Sequence, residues 1–219
     1  MITIAQIKEN ADIRTYIQKA DESMRALGYT EHSFAHVTKV SELAKDILLT
    51  LGHDAREAEL AQIAGYMHDI GNVVNRSNHA QGGAVMAFRI LDNLGADAAD
   101  IATIITAIGN HDEGTAFPVN AVTAAIILAD KTDVRRSRVR KRDFSTFDIH
   151  DRVNYAAHTS RTYITEDKRQ IVLEIDLDTE LSSVMDYFEI FMQRMLLCTR
   201  AAEKLGLRFS LVINGQKVL

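Results

Sequence analysis

The sequence predicts a mainly α-helical protein, in which a bundle of helices is followed by a small α+β unit. Through the first 134 residues, apolar side chains recur every three or four positions, which is the period of one helix face. After a basic run at residues 135–142, short stretches alternate apolar and polar residues, as half-buried strands do. We therefore expect a helical domain at residues 1–142 and a small α+β domain at residues 143–219.

Composition limits the class of protein. The 219 residues carry a net charge of −5, which argues against a protein devoted to nucleic acid. No apolar run reaches the roughly 18 residues that span a bilayer, so no membrane partner is expected. Cys198 is the only cysteine, which excludes an intrachain disulfide, and the first residues lack the features of a signal peptide. The expected location is therefore the reducing cytoplasm.

The first three helices are each expected to begin at a residue that can cap a helix N-terminus. They should span residues 12–28, 33–52 and 54–70, with the N-caps Asp12, Ser33 and Asp54. Gly28 and Gly52 are suited to end the first two, because glycine readily adopts the left-handed conformation found there.

Three more helices complete the predicted bundle, at residues 78–95, 97–108 and 122–132. The fourth helix carries a spaced apolar face, formed by Ala84, Phe88, Leu91 and Leu94. The fifth helix is expected to start at about Asp97, and Pro118, the only proline, lies in the loop before the sixth.

The C-terminal part predicts a hairpin, a long helix and a returning strand. Residues 159–166 and 170–177 are nearly alternating, and residues 181–205 have a helical pattern that ends at Gly206. Phe209, Leu211 and Ile213 alternate again before the turn at Asn214-Gly215. The long helix is apolar over a broad face, which either packs on its own hairpin or forms a homodimer interface.

Histidine and aspartate residues lie on or at the ends of the predicted helices. His68-Asp69 closes the apolar third helix, where both side chains are costly to bury unless a cation lies between them. Neutral imidazole and carboxylate are both good ligands for divalent metals. Four further residues of these types occupy similar positions on other helices: His36, His79, His111 and Asp130. The set predicts a metal site inside the bundle.

Each of these residues also has a purely structural interpretation. A single histidine at a helix end is more often a capping or solvated side chain than a ligand. Asp130 could be a core carboxylate paired with an arginine. Four other histidines fit that interpretation, because His53 and His150 precede expected caps (Asp54 and Asp151) and His32 and His158 have no evident partner. The ordered set of six is harder to explain structurally than any one member.

The ordered set His36, His68-Asp69, His79, His111 and Asp130 resembles the signature of the HD-domain metal-dependent phosphohydrolases. Four local segments resemble that family as well: residues 65–71, 79–84, 107–111 and 128–131. The resemblance covers about residues 30–136 and implies a helical HD-domain bundle. It does not extend to the α+β unit.

Within that family, the two additional histidines are similar to the branch that splits diadenosine tetraphosphate symmetrically. The similarity continues through residues 130–136, where Asp133 and Arg136 match an acidic residue and an arginine of that branch. Asn72 stands where many relatives have a lysine. Residues 114–118 lack the Gly-Tyr-Pro motif of cyclic-di-GMP phosphodiesterases, so that branch is not expected.

The resemblance implies hydrolysis of a phosphoester or phosphoanhydride bond in a nucleotide-like small molecule by a metal-activated hydroxide. Two ions are expected, because the extra histidines supply ligands for a second one. One ion would bind His36, His68 and Asp130, the other would bind His79 and His111, and Asp69 would bridge. Iron or manganese suits these ligands best, with zinc or nickel as alternatives in purified protein.

Further residues are expected to act on the substrate. Asp112 and Glu113 follow His111 and could orient water or accept a proton, although a solvated loop is equally consistent with their position. We expect Asp69, Asp112 and Arg136 to be catalytic, and Lys131, Arg135 and Arg136 to bind substrate phosphates. The alternative for the basic run is a solvated linker.

Two other functions remain open from the sequence. The protein could be a non-catalytic sensing or interaction module that keeps a structural metal, although such modules usually lack one or more ligands. A nucleic-acid-binding role for residues 135–142 is weaker, because no aromatic residues interleave with the basic ones.

Overall fold

The computed structural model describes residues 1–219 and contains nine α-helices and four strands. The helices are α1 (Ile4–Glu9), α2 (Ala11–Ala26), α3 (Phe34–Leu51), α4 (Ala55–Met67), α5 (His79–Asn93), α6 (Ala98–Gly109), α7 (Ala121–Lys131), α8 (Ile149–Ala156) and α9 (Val184–Lys204). The strands are β1 (Ala157–Ile164), β2 (Gln170–Leu177), β3 (Arg208–Ile213) and β4 (Gln216–Lys217). The predicted fold class, mainly α with a small α+β unit, is confirmed.

Several helix ends follow the capping chemistry expected from the sequence. Ser33 accepts a hydrogen bond from the Ala35 amide at the start of α3, and Gly52 ends this helix with a φ of 90°. Asp54 accepts hydrogen bonds from the first amides of α4 in the same way. These local signals therefore position the two helices that carry His36 and His68.

Other expected ends are wrong. Asn10 caps α2 in place of Asp12, because the unpredicted helix α1 ends directly before it. Helix α4 stops at Met67, and after His68-Asp69 the chain forms a 3-10 turn at Ile70–Val73. Asp148 caps α8, while Asp151 completes the capping box from inside the helix.

Helices α4 and α7 form the centre of the bundle. Every residue from Leu60 to Met67 and from Val122 to Ala129 is buried, so neither helix has a wide solvent face. Helix α3 packs on both, and α5 and α6 close the opposite side. The expected core face of α5 is partly wrong, since Phe88 is 48% exposed and the small residues Ala80, Gly83 and Ala87 are buried instead. Small side chains allow α5 to approach the 3-10 turn closely.

Gly71 lies at that close approach. A Cβ atom there would overlap the carbonyl oxygen of His79 and the amide nitrogen of Gly83. Only glycine therefore lets the turn after His68-Asp69 lie directly against the first turn of α5.

The C-terminal sheet has the order β1-β2-β3-β4. Strands β1 and β2 form the expected antiparallel hairpin, and β3 pairs with β2 in parallel after the chain crosses over through α9. Strand β4 was not expected and pairs antiparallel with β3. Helix α9 packs on α7 as well as on β2 and β3, so the α+β unit lies against the helical bundle.

The apolar face of α9 is divided between core and solvent. Tyr187, Phe191 and Met195 are buried, whereas Met185 and Leu196 are 74% and 44% exposed. The homodimer through this unit stays a prediction. No helix has the length and apolar character needed to cross a membrane.

The basic run is held against the bundle. Arg135 forms ion pairs with Glu31 and Asp133, and the buried Arg138 donates hydrogen bonds to backbone carbonyls of the same two residues. Arg140 forms an ion pair with Asp21. The solvated-linker alternative is therefore wrong for these arginines.

Candidate metal centre

The six predicted ligands converge where α3, α4 and α7 meet the start of α5 and the end of α6. In the first group, the Nε2 atom of His36 lies 3.3 Å from Oδ1 of Asp130, and that of His68 lies 3.8 Å from the same oxygen. Oδ2 of Asp69 lies 3.7 Å from His36 Nε2 and 3.4 Å from His68 Nε2. His36, His68 and Asp130 are thus spaced to share one ion.

His79 and His111 form a second group. Their Nε2 atoms are 3.2 Å apart and lie 3.5 Å and 4.0 Å, respectively, from Oδ1 of Asp69. The two oxygens of Asp69 therefore face different histidine pairs, as a carboxylate that bridges two ions would. His68, Asp69 and His111 are also close enough together to ligate one ion.

Hydrogen bonds at Nδ1 orient all four histidine rings. The Nδ1–H groups of His68, His79 and His111 donate to the carbonyl oxygens of residues three positions earlier: Gly65 at 2.8 Å, Arg76 at 3.0 Å and Ile108 at 2.6 Å. The Nδ1–H group of His36 donates to Oδ2 of Asp133 at 2.8 Å. Because Nδ1 carries the proton in each ring, each neutral imidazole presents the Nε2 lone pair to the centre.

These lone pairs fit a metal site better than an ordinary polar core. The Nε2 atoms of His36 and His68 are buried and have no hydrogen-bond partner. His79 and His111 direct two lone pairs at each other across 3.2 Å, and the nearby guanidinium of Arg76 contacts only that of His79, at 3.4 Å. Buried polar atoms are normally satisfied, so this geometry indicates an electrophile in the centre.

Local electrostatics keep the carboxylates ionised. Burial alone would raise the pKa of Asp69, but the neighbouring His68 outweighs it and holds that pKa well below its usual value. The pKa of Asp130 is lowered in the same way, against burial, by Lys131 and the nearby histidines. Both side chains can therefore act as anionic ligands across the physiological pH range.

The second pair of histidines is kept neutral. Burial lowers the pKa of His79 and, more strongly, that of His111. His68 differs, because Asp69 and Asp130 raise its pKa in spite of burial. Protons therefore compete with a metal ion more strongly at His68 than at His79 or His111.

Asp133 supports the first group from outside the centre. Its buried carboxylate receives the hydrogen bond from His36 and also contacts Lys39 at 2.9 Å and Arg135 at 2.9 Å. Burial would raise its pKa, but His36 and Arg138 hold the pKa well below its usual value. Asp133 thus fixes the orientation of His36 rather than pointing to the centre.

The three cations expected to bind substrate are each engaged by neighbouring groups of the protein. Lys131 is buried and forms ion pairs with Asp130 at 2.7 Å and Glu113 at 3.4 Å. Arg136 donates a hydrogen bond to the Tyr155 carbonyl and its guanidinium lies over the ring of that tyrosine. Neither Arg135 nor Arg136 contacts any of the six candidate ligands.

Asp112 and Glu113 separate into two environments. Asp112 lies at the edge of the centre, with Oδ1 3.9 Å from Nε2 of His79 and a side chain that is 25% exposed. Glu113 is held between Lys131 and Arg194, whose Nε atom lies 2.6 Å from its carboxylate. The chain of ion pairs from Arg194 through Glu113 and Lys131 to Asp130 connects α9 to a candidate ligand.

Two nearby residues were missed by the sequence interpretation. Arg76 has one guanidinium nitrogen 3.4 Å from Nε2 of His79, and no carboxylate lies within ion-pair distance of it. Its position three residues before His79 was the available signal. His32 was expected at the surface but is buried, with its ring against that of His36 at 5.6 Å between centroids.

Asn72 takes part in the centre although it replaces the lysine common in relatives. Its Nδ2 donates a hydrogen bond to Oδ1 of Asp69 at 2.8 Å, and its Oδ1 accepts one from Arg76 at 3.2 Å. Asn72 therefore orients both the carboxylate between the two histidine pairs and the nearest free cation.

Comparisons with known proteins bear on this centre. The family model described as the HD domain matches residues 33–152, which include all six candidate ligands. The chain is also 26% identical over 199 residues to uncharacterized protein MJ1020 of Methanocaldococcus jannaschii. That similarity covers 80% of this chain and 76% of the archaeal protein, whose name assigns no activity.

Proposed function

The chain belongs to the HD-domain family, which implies a metal-dependent phosphohydrolase, and from this premise we propose a two-metal enzyme. Its substrate is proposed to be a nucleotide-like small molecule, cleaved at a phosphoester or phosphoanhydride bond.

The observation that carries the two-metal proposal is the position of Asp69 between two histidine pairs. Oδ2 faces His36 and His68, whereas Oδ1 faces His79 and His111. A single ion bound by His36 and His68 would leave His111 without a partner other than His79, and His79 with only the 3.4 Å contact from Arg76. Two ions would satisfy all four rings, with Asp130 as a further ligand in the first group.

Ligand chemistry supports iron or manganese, because the set mixes imidazole with carboxylate. Two divalent ions, when bound, would lower the pKa of a coordinated water molecule. They would also supply positive charge that stabilises a phosphoryl group. The remaining steps fall to residues of this chain.

Arg76 is placed to hold the substrate phosphate. Its guanidinium lies beside His79, is oriented by Asn72 and has no acidic partner to compete with a ligand. Arginine binds phosphate oxygens with paired hydrogen bonds, so it can orient the phosphorus for attack. This role replaces the one expected for Arg135 and Arg136.

Asp112 is placed to accept a proton. It is the one carboxylate at the edge of the centre that is partly exposed, and it does not take part in an ion pair with lysine or arginine. A carboxylate next to the reacting water can accept its proton and release it to solvent.

The similarity to symmetrical diadenosine tetraphosphate hydrolases supports including that compound among the substrates. The test uses protein purified without chelator, whose metals are counted by inductively coupled plasma mass spectrometry. Manganese- and iron-loaded samples are then assayed with diadenosine tetraphosphate, the nucleoside monophosphates and bis(p-nitrophenyl) phosphate. We expect two metals per chain and hydrolysis of at least one class. Failure to bind metal after reconstitution would overturn the proposal.

A further inference from the structure

A cavity of about 200 Å³ opens beside the metal centre, between the bundle and the α+β unit. The loop after α2 forms one wall and helices α8 and α9 form the other. Asn154, Phe191 and Arg194 on the second wall lie beyond the residues matched by the HD-domain family. The additional unit thus completes a cavity that the family match alone would leave open.

The cavity adjoins the centre at Arg76, which lies 3.4 Å from the ligand His79 and has no acidic partner. Arg138 and Arg194 also line the cavity, but their charges are paired with Asp133 and Glu113. His32 also lines it and packs against the ligand His36. An anionic group bound at Arg76 would reach the metal centre.

The cavity wall also offers hydrogen-bond acceptors. Asn154 is only 5% exposed, and its Nδ2 donates to the His150 carbonyl while its Oδ1 has no protein partner. His32 donates from Nδ1 to the Thr30 carbonyl, which leaves its Nε2 as an acceptor without a partner. Neither acceptor is sealed off from the cavity, so each can accept a hydrogen bond from a ligand that brings donors.

The cavity also has one accessible aromatic face. Tyr29 is 46% exposed, and the guanidinium of Arg76 lies over its ring at 5.6 Å. The volume is smaller than the roughly 300–1,000 Å³ of clefts for drug-sized ligands, so it fits one ring-sized group. A polymer or a second nucleoside would have to lie outside.

We propose that this cavity binds a ribose phosphate moiety, with the phosphate at Arg76 and the sugar hydroxyls donating to Asn154 and His32. Helices α8 and α9 then determine substrate specificity for the proposed phosphohydrolase, on which this inference rests. A free sugar phosphate and a mononucleotide share this moiety. Tyr29 favours the nucleotide, because its ring can stack on a base.

Binding to the manganese-loaded protein tests the proposal without relying on turnover. Isothermal titration calorimetry is run with AMP, 2′-deoxy-AMP, 3′-deoxy-AMP and ribose 5-phosphate. We expect AMP to bind and at least one deoxy analogue to bind about tenfold more weakly, because it lacks a hydroxyl that donates a hydrogen bond to the cavity wall. Tyr29→Ala should weaken AMP binding and leave ribose 5-phosphate binding unchanged if the ligand is a nucleotide.

Variants at Asn154 test whether this wall of the cavity contacts the sugar hydroxyls. Asn154→Leu should abolish the discrimination between AMP and the deoxy analogue, and Asn154→Asp should retain it because an acceptor oxygen remains. Asn93→Leu, at the exposed end of α5, is the matched control and should behave as wild type. Circular dichroism checks folding, and if Asn154→Leu does not fold, Asn154→Asp and the Tyr29 variant still carry the test.

Three outcomes would overturn the inference: no binding of any ribose phosphate at millimolar concentration, equal affinity for AMP and both deoxy analogues, or unchanged discrimination in Asn154→Leu. Hydrolysis of bis(p-nitrophenyl) phosphate by the wild type is followed separately. Hydrolysis without ribose phosphate binding would leave the proposed function standing and the inference wrong. Selective AMP binding without any hydrolysis would support the inference and count against the proposed function.

Discussion

His36 and Asp133 are joined by a buried hydrogen bond of 2.8 Å that spans 97 positions in the sequence. The other three histidines of the centre donate their Nδ1–H hydrogen bonds to carbonyl oxygens only three residues away. His36 is therefore the one ring whose orientation depends on a distant part of the chain, the segment that follows α7.

Replacing Asp133 should weaken metal binding without removing a ligand. We expect Asp133→Asn to lower metal affinity by about 10- to 100-fold, since partners of ligand histidines have effects of that size. Competition with a chelating dye measures the affinity. Asp46→Asn, at an exposed position of the same helix as His36, is the control. Unchanged affinity in Asp133→Asn would show that the His36 ring does not depend on this carboxylate.

The two histidine–aspartate pairs at the ends of α4 allow a matched comparison. His68→Ala should remove metal and phosphohydrolase activity, because His68 Nε2 faces both Asp69 and Asp130. His53→Ala should leave both unchanged, because His53 contacts only Glu57 on the opposite end of the helix. Metal content and turnover are measured on both variants. Wild-type activity of a metal-free His68→Ala protein would contradict the proposed mechanism.

The metal-free protein should lose stability as the pH falls below about 6.5. Burial lowers the pKa values of His32, His79 and His111 in the folded state, so unfolding takes up protons below their usual value of about 6.5. Each of these three histidines lowers the free energy of unfolding by up to about 1.4 kcal/mol per pH unit. His68 has the opposite sign: its raised pKa adds stability that is complete below about pH 6.5 and lost as the pH rises through the raised value.

Urea unfolding between pH 5 and pH 7 measures this dependence. His32→Asn should reduce the slope of unfolding free energy against pH by about one proton, or about 1.4 kcal/mol per pH unit at most. His158→Ala, at an exposed position on β1, should leave the slope as it is in the wild type. A stability that is constant or rises toward pH 5 would contradict the assignment of neutral buried histidines.

Alanine substitutions at two glycines, one in α5 and one in the neighbouring turn, should change the free energy of unfolding in opposite directions. Gly71→Ala places a methyl group against the backbone of His79 and Gly83, so we expect a loss of about 1–3 kcal/mol in unfolding free energy and weaker metal binding. Gly82→Ala meets nothing within 4 Å and should stabilise the helix by up to about 1 kcal/mol. Thermal unfolding compares them, and equal midpoints would contradict the close approach at Gly71.

Local chemistry explains why much of the bundle could be predicted from the sequence. Ser33 and Asp54 act at the helix ends where their side chains were expected, because N-capping needs only neighbouring amides. The hairpin of β1 and β2 also follows from local alternation. The histidine and aspartate set was found because its members lie in order on or at the ends of the predicted helices, and their ligand roles stay a prediction until metal binding is measured.

What the sequence did not reveal depends on contacts between distant segments. Burial of His32 results from packing beside His36, and the pairing of β3 with β2 requires the crossover through α9. Arg136 was favoured by its motif, yet the nearby Tyr155 holds it away from the centre. No local pattern distinguishes a cation bound to its own protein from one left free, as Arg76 is.

The short hydrogen bonds from His68, His79 and His111 to the carbonyls of their own turns have a practical consequence. Rings fixed in this way require little rearrangement when an ion enters, so exchange of one divalent ion for another should leave the scaffold intact. The relative affinities for first-row ions should then follow the intrinsic order of those ions for nitrogen and oxygen donors, because the scaffold does not discriminate between them. The ion recovered from an expression host would consequently report the supply in that host, and only reloading the same preparation with each ion in turn would identify the physiological one.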